Sequence, residues 1–258
     1  PGVTQHDLER AIRRAGARLL VPTTGVGPNG NILGNALDGG YGLTPITDHF
    51  DAVSAVSGHW GSGLPFHHSY QDLHCRDLAE RWRVGTGPYW GGLLRQGNFG
   101  IVTQATVQLA RVPEDCRILI FEWPSDERFE ASQGALAGIA EDIPGIGGII
   151  MMNDCRILAT QSDAPLATSR RGDERADYLA EQAGRRKISR WTALGTLYGS
   201  RHSVKGAVRD IRRRVKGCRI WSFSTSEVRL LQGLFGLLPG NWFPSLRRHL
   251  GSLVNALG

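Results

Sequence analysis

The first apolar positions fall at helical intervals: Leu8, Ile12 and Ala15 share one side of a helix. Thr4 precedes them with Asp7 three residues on, a capping box with Thr4 as N-cap, and Gly16 is placed to stop the helix. A short apolar strand, Leu19-Leu20-Val21, follows, and Pro22 ends it. Residues 101–109 alternate like a half-buried strand after the turn Gly97-Asn98-Phe99-Gly100. Beyond them the pattern predicts strands at 117–123 and 148–152 with an amphipathic helix over 125–142 between them. A second round predicts strands at 191–198 and 219–223 around a helix at 203–215. Two β-α-β rounds imply an antiparallel sheet with helices on one face, a ferredoxin-like α+β unit. Pro113 and the acidic residues after it mark a boundary, so residues 1–112 and 113–258 are expected to be separate domains. Residues 228–258 are apolar and rich in Gly and Leu, and predict only helical fragments.

Neither rhythm holds over residues 23–48, which contain seven glycines: Gly25, Gly27, Gly30, Gly34, Gly39, Gly40 and Gly42. So little side-chain bulk means close backbone approach or turns at positive φ. A backbone-lined ligand cradle has this composition, and so does a long irregular loop, although such loops are uncommon in compact domains unless they are functional. Asp48-His49, at the end of the stretch, either orients a ligand or closes the loop by hydrogen bonds.

Composition narrows the class. Hydrophobic residues make up 41% and charged residues 21%, enough for a core and too apolar for disorder. No run approaches the ~20 apolar residues of a membrane helix, so no membrane partner is expected. Cys75, Cys116, Cys155 and Cys218 are scattered with no CxxC pair, which fits a reducing cytoplasmic setting and argues against zinc. The first residues carry no signal-peptide pattern, and the missing initial Met implies a piece of a longer chain. The net charge of +6 is local: 14 basic and 5 acidic residues fall in 170–216, while 3 basic and 10 acidic fall in 113–169. The densest basic stretch, Arg209 to Lys216, reads as the solvated face of a helix. No stacking aromatics or recognition module accompany it, so a nucleic-acid partner is not expected.

Motifs for other chemistries fail on context. Gly25-Val26-Gly27-Pro28-Asn29-Gly30 matches GxGxxG, but Pro28 and Asn29 favour a turn, and no helix-periodic run follows before Gly34, so a Rossmann reading is rejected. His67, His68, His74 and Cys75 match no standard metal spacing and are expected to be solvent-exposed. Neither GxSxG nor a Walker loop occurs.

A resemblance covers about residues 1–112. The run Pro1-Gly2-Val3-Thr4, the pair Val21-Pro22, the segment from Leu33-Gly34-Asn35 through Gly39-Gly40-Tyr41-Gly42 to Pro45, and Asp48-His49-Phe50 are its first pieces. Gly87-Pro88-Tyr89 and Gly97 to Thr103 follow in the same order. Together they resemble the FAD-binding domain of the vanillyl-alcohol oxidase and p-cresol methylhydroxylase (PCMH) family. The strand at 191–199 resembles that family's cap domain more loosely.

The resemblance implies an α+β fold: a partial PCMH-type FAD-binding domain, then a ferredoxin-like cap or substrate domain. It implies FAD along the backbone of Pro22, Thr23, Thr24 and Gly25, with Gly34, Asn35, Asp38, Gly40, Tyr41 and Gly42 near flavin and phosphates. Gly100, Ile101 and Val102 would contact it through the start of their strand. It also implies hydride transfer from a small, phenolic or hydroxylated substrate to flavin, with oxygen or a redox protein as electron acceptor, and it allows a homodimer. Phenol-oxidising members carry a catalytic Asp shortly after the Val-Pro strand end, where this chain has Thr23 and Thr24, so no catalytic residue is assigned. A glycine-rich pyrophosphate loop normally precedes the Pro-Gly-Val-Thr run. The competing expectation is a non-catalytic remnant or interaction module that keeps the fold without holding FAD.

Overall fold

A computed structural model describes residues 2–24, 27–159, 171–224 and Glu227. The chain divides into two compact units between Val112 and Pro113, and each is described by itself.

The first unit opens with α1 (Gln5–Arg14), capped as its sequence dictates. The Asp7 amide donates to Thr4 Oγ1 and the Thr4 amide to Asp7 Oδ2, each at 3.1 Å. Gly16, at φ +64°, ends it in the left-handed region that glycine adopts most readily. The expected strand at 19–21 is only an isolated bridge between Leu19 and Arg111, because the chain turns away at Pro22 after two ladder bonds. Then come α2 (Ile32–Leu37), β1 (Val53–Trp60), β2 (Pro65–Phe66), α3 (Ser69–Asp72), α4 (Arg76–Arg81), a 3-10 turn at Trp90–Leu94, and β3 (Gly100–Val107). The strands form an antiparallel sheet in the order β2-β1-β3. Leu33, Ala36, Phe50, Val53, Val56 and Phe66 pack with Leu94 and Val102 as its core. Trp60, Phe66 and Trp90 close one end of that core with ring centroids 4.5 to 5.5 Å apart.

Two expectations need correction here. A helix does open soon after Gly30, since α2 begins at Ile32; it is six residues long and precedes an antiparallel sheet, not a βαβ crossover. His68 is not exposed but 5% accessible, serving as N-cap of α3 by accepting the Tyr70 amide at 3.3 Å. Among the described residues no group of three His, Cys, Asp or Glu is placed to hold a metal, and no helix is long and apolar enough to cross a membrane.

The second unit runs β4 (Asp115–Trp123), α5 (Asp126–Glu130), α6 (Gln133–Asp142), β5 (Ile146–Asn153), α7 (Asp154–Ala159), α8 (Gly172–Arg185), β6 (Trp191–Gly199), α9 (Arg201–Arg214) and β7 (Arg219–Ser224). Its sheet is fully antiparallel in the order β5-β6-β4-β7, the ferredoxin-like arrangement expected. Leu119, Phe121 and Trp123 of β4 pack with Ala193 and Leu197 of β6 against Ile139 of α6 and Val204 and Ile211 of α9. The helix expected over 125–142 is two helices. Buried Ser132 divides them: it accepts Trp123 Nε1 at 2.8 Å and reaches the carbonyls of Arg128 at 2.7 Å and Lys216 at 3.1 Å. The reading of 228–258 as helical fragments lies outside the described residues.

Candidate cofactor-binding site

The glycine-rich stretch is fastened to α1 by backbone and by one buried side chain. The Gln5 amide donates to Gly30 O at 2.9 Å, the His6 amide to Pro28 O at 3.0 Å, and the Ile32 amide to Val3 O at 3.0 Å. Gln5 is 5% exposed, and its Nε2 donates to Thr24 Oγ1 at 2.8 Å while its Oε1 accepts the Thr24 amide at 3.4 Å. A Cβ at Gly30 would fall 2.7 Å from Gln5 Nε2, so the glycine lets the loop close over this side chain.

A second knot lies at residues 35–49. Tyr41 and Asp48 pair as an antiparallel bridge, with the Gly42 amide on Thr47 O and the His49 amide on Gly40 O, both at 3.0 Å. His49 is 2% exposed, and its Nδ1 lies 2.6 Å from Asn35 Nδ2. The amide can only donate, so Nδ1 accepts and the proton of the neutral ring belongs on Nε2, an assignment made from the hydrogen-bond network. His49 Nε2 itself is buried with no hydrogen-bond partner. Burial pushes the imidazole pKa down, partly opposed by the charge of Asp48. A Cβ at Gly42 would meet both His49 Nε2 and Thr23 O at 2.5 Å, and one at Gly40 would overlap the Asn35 side-chain amide.

The start of β3 is tied to this knot. The Gln96 amide donates to Leu37 O at 2.8 Å and its side chain to Asp38 O at 2.9 Å, capping the end of α2. Arg95 pairs with Asp48 at 2.8 Å and lies against the Phe50 ring, which Arg83 also approaches at 4.8 Å from its centroid. Gly100 begins β3 four residues after Gln96. β3 is an edge strand, Ile101 is 73% exposed, and Val102 turns into the core. An edge strand leaves alternate backbone donors and acceptors unpaired.

The fold therefore gathers Pro22, Thr23, Thr24, Asn35, Asp38, Tyr41, Gly42 and Gly100 to Val102 into one unit; Gly25 lies outside the described residues. Pro22, Thr24 and Gly42 are buried, Thr23 and Asn35 are half-buried, and Tyr41 is exposed. The amides of Gly34, Gly40 and Gly42 are all used internally, by Asn31 Oδ1 at 2.6 Å, Asn35 O at 2.8 Å and Thr47 O. Gly40 and Gly42 are required by the chain's own packing, and the amides of all three are committed to the loop itself. For an extended cofactor, what remains open is the β3 edge at Ile101 and the exposed side of Gly34, Asp38 and Tyr41. What this surface offers a cofactor is backbone and side-chain contact, not the glycine amides. Sequence reasoning missed Gln5, Arg95 and Gln96, whose roles are contacts over 19 to 58 residues and carry no local pattern.

Comparison with solved structures decides the fold. Over its full length the chain superposes on 48% of 4-ethylphenol oxidase from Gulosibacter chungangensis, with a TM-score of 0.76 at 20% identity. Over 86% of its length it superposes on 44% of p-cresol methylhydroxylase, with a TM-score of 0.71 at 19% identity. The chain has the fold of the PCMH-type FAD-linked oxidases. Among curated proteins it is 26% identical over 165 residues to the 1'-carboxy-chondrochloren decarboxylase of Chondromyces crocatus, a match spanning 64% of this chain and 30% of that protein. No protein-family model matches. The chain thus spans less than half the length of each of these relatives.

Proposed function

We propose that this chain is part of an FAD-dependent oxidoreductase acting on a small molecule, residues 1–112 being the C-terminal part of its FAD-binding domain and 113–258 part of its cap, or substrate, domain. The observation that carries the reading is the convergence of Pro22 to Thr24, Asn35, Asp38, Tyr41 and Gly100 to Val102 on one fastened loop cluster within a PCMH-type fold. Bound FAD would take a hydride from a phenolic or hydroxylated substrate and pass the electrons to oxygen or a redox protein. The chain's own residues hold the cofactor in register. Gln5 fixes Thr24, Asn35 and His49 fix the Gly40–Gly42 turn, and Arg95 and Gln96 fix the start of β3. Thr23 and Thr24 put no ionisable side chain where phenol-oxidising relatives carry Asp, so a proton acceptor must come from elsewhere. A second reading, a decarboxylase on the same cradle, is favoured by the match to the Chondromyces crocatus enzyme and would be recognised by release of carbon dioxide.

The test is the visible spectrum of the desalted, full-length protein. A flavin spectrum is expected. Gly34 is exposed, so Gly34→Trp is expected to remove the flavin and leave far-ultraviolet circular dichroism unchanged. A colourless protein that takes up no added FAD would overturn the reading in favour of a remnant. Full flavin content in the folded variant would move the cofactor off this surface.

A further inference from the structure

A cleft of about 390 Å³ opens at one end of the second unit's sheet, where β4 ends and β6 and β7 begin. Its polar lining is Glu122, Arg128, Ser189, Cys218 and Arg219. Gly217, at φ +74°, makes the turn that delivers Cys218 and Arg219 to it. Glu122 is 5% exposed and its Oε2 accepts Trp221 Nε1 at 2.8 Å, so this carboxylate is anchored in the sheet. Arg219 Nη1 stands 3.8 Å from the same oxygen, beyond hydrogen-bond reach, with 68% of its side chain exposed. Arg128 is exposed and pairs with no carboxylate among the described residues. Burial pushes the Cys218 thiol up to about 11, so it adds no negative charge near neutral pH. Among the described residues that line it, two guanidinium groups thus share the cleft with one fixed carboxylate.

We propose that this cleft is a binding site for a small monocarboxylate, held between Arg128 and Arg219. Two planar forks matched to one planar carboxylate supply charge-assisted hydrogen bonds. Glu122 sets the charge limit: it repels a second negative charge, so a carboxylate is favoured over a phosphate dianion.

The test is calorimetric titration of the full-length protein with acetate, benzoate and inorganic phosphate. Saturable carboxylate binding with Kd on the order of 1 mM, at least about tenfold tighter than phosphate, is expected. Arg128→Gln and Arg219→Gln should each weaken it at least about tenfold. Arg209→Gln, an exposed arginine on α9 outside the cleft, should leave it unchanged. Glu122→Gln should narrow the preference over phosphate; if that variant does not fold, the two arginine variants decide alone. Three results would each overturn the proposal: no saturable binding, wild-type binding in both cleft variants, or equal loss in Arg209→Gln.

Discussion

The two units of this chain are held by different means. In the second, side chains do the work: β4 and β6 pair residue for residue from Asp115–Gly199 to Trp123–Trp191, and large apolar groups fill the space under α6 and α9. In the first, much of the structure depends on side chains being absent. Gly30 admits Gln5, Gly40 admits Asn35, Gly42 admits His49, and Gly58 lets the Ile101 carbonyl cross from β3. A core built on side-chain volume tolerates surface change and fails when volume is lost. A loop cluster built on close approach fails when a single carbon is added. The region that carries the proposed cofactor site is the one with the least freedom to accept side chains.

The contrast can be broken at its strongest points. Trp123 is fully buried, stacks on Phe121, meets Phe129 edge-on, and donates to Ser132. Trp123→Ala should destabilise the second unit by about 3–5 kcal/mol in denaturant titration, because the cavity adds to the lost transfer energy. A loss under about 1 kcal/mol would mean that the site collapses freely and the packing argument is wrong. Next in size is Gly58→Ala. The added methyl would fall on the Ile101 carbonyl and against Phe66, at the β1 bulge between Ser57 and Gly58, so the strands must separate. A loss of about 1–3 kcal/mol is expected, with faster amide exchange along β3. Unchanged exchange would show that the bulge absorbs the methyl.

The same contrast explains what the sequence could reveal. The strands of the second unit and α9 follow apolar periodicity to within one or two residues, as at 117–123 against Asp115–Trp123, whereas α7 and α8 were not expected. Periodicity says nothing about a hydroxyl such as Ser132 dividing a helix, since its partners lie across the fold at Trp123 and Lys216. In the first unit α1 was legible because a capping box is local. β1 was not, because Val53 to Trp60 mixes Ser, Gly and His into a strand buried on both faces at its start, hiding the alternation. The cofactor region was legible only as a density of glycines. That density marks close approach without saying what approaches, and here much of it is the chain's own Gln5, Asn35 and His49.

Where glycine is not required, removing it should help. Gly206 lies inside α9, and a Cβ there meets nothing within 4 Å. Gly206→Ala should therefore stabilise the second unit by about 1 kcal/mol through helix propensity and a less flexible unfolded chain. A destabilising Gly206→Ala would mean that this face of α9 is covered, and the distinction between required and idle glycines would fail.

The finest test uses pH. Burial holds the His49 imidazole below its ordinary value of 6.5, whereas the unfolded chain protonates there normally. Below pH 6.5 the unfolded state therefore binds more protons than the folded state, and stability falls as pH drops until the folded pKa is passed. The shifted carboxyls Asp7, Asp126, Glu127, Asp210 and Glu227 are all pushed down, so their titrations lie below this window. Denaturation midpoints of the first unit at pH 8 and pH 5 should differ in the wild-type chain. In His49→Gln, which keeps an acceptor for Asn35 but cannot titrate, the difference should shrink. An equal pH dependence in both would show that His49 accepts a proton without cost, which requires the Gly40–Gly42 turn to open. The loop cluster would then be a mobile cover, and not the rigid half of this comparison.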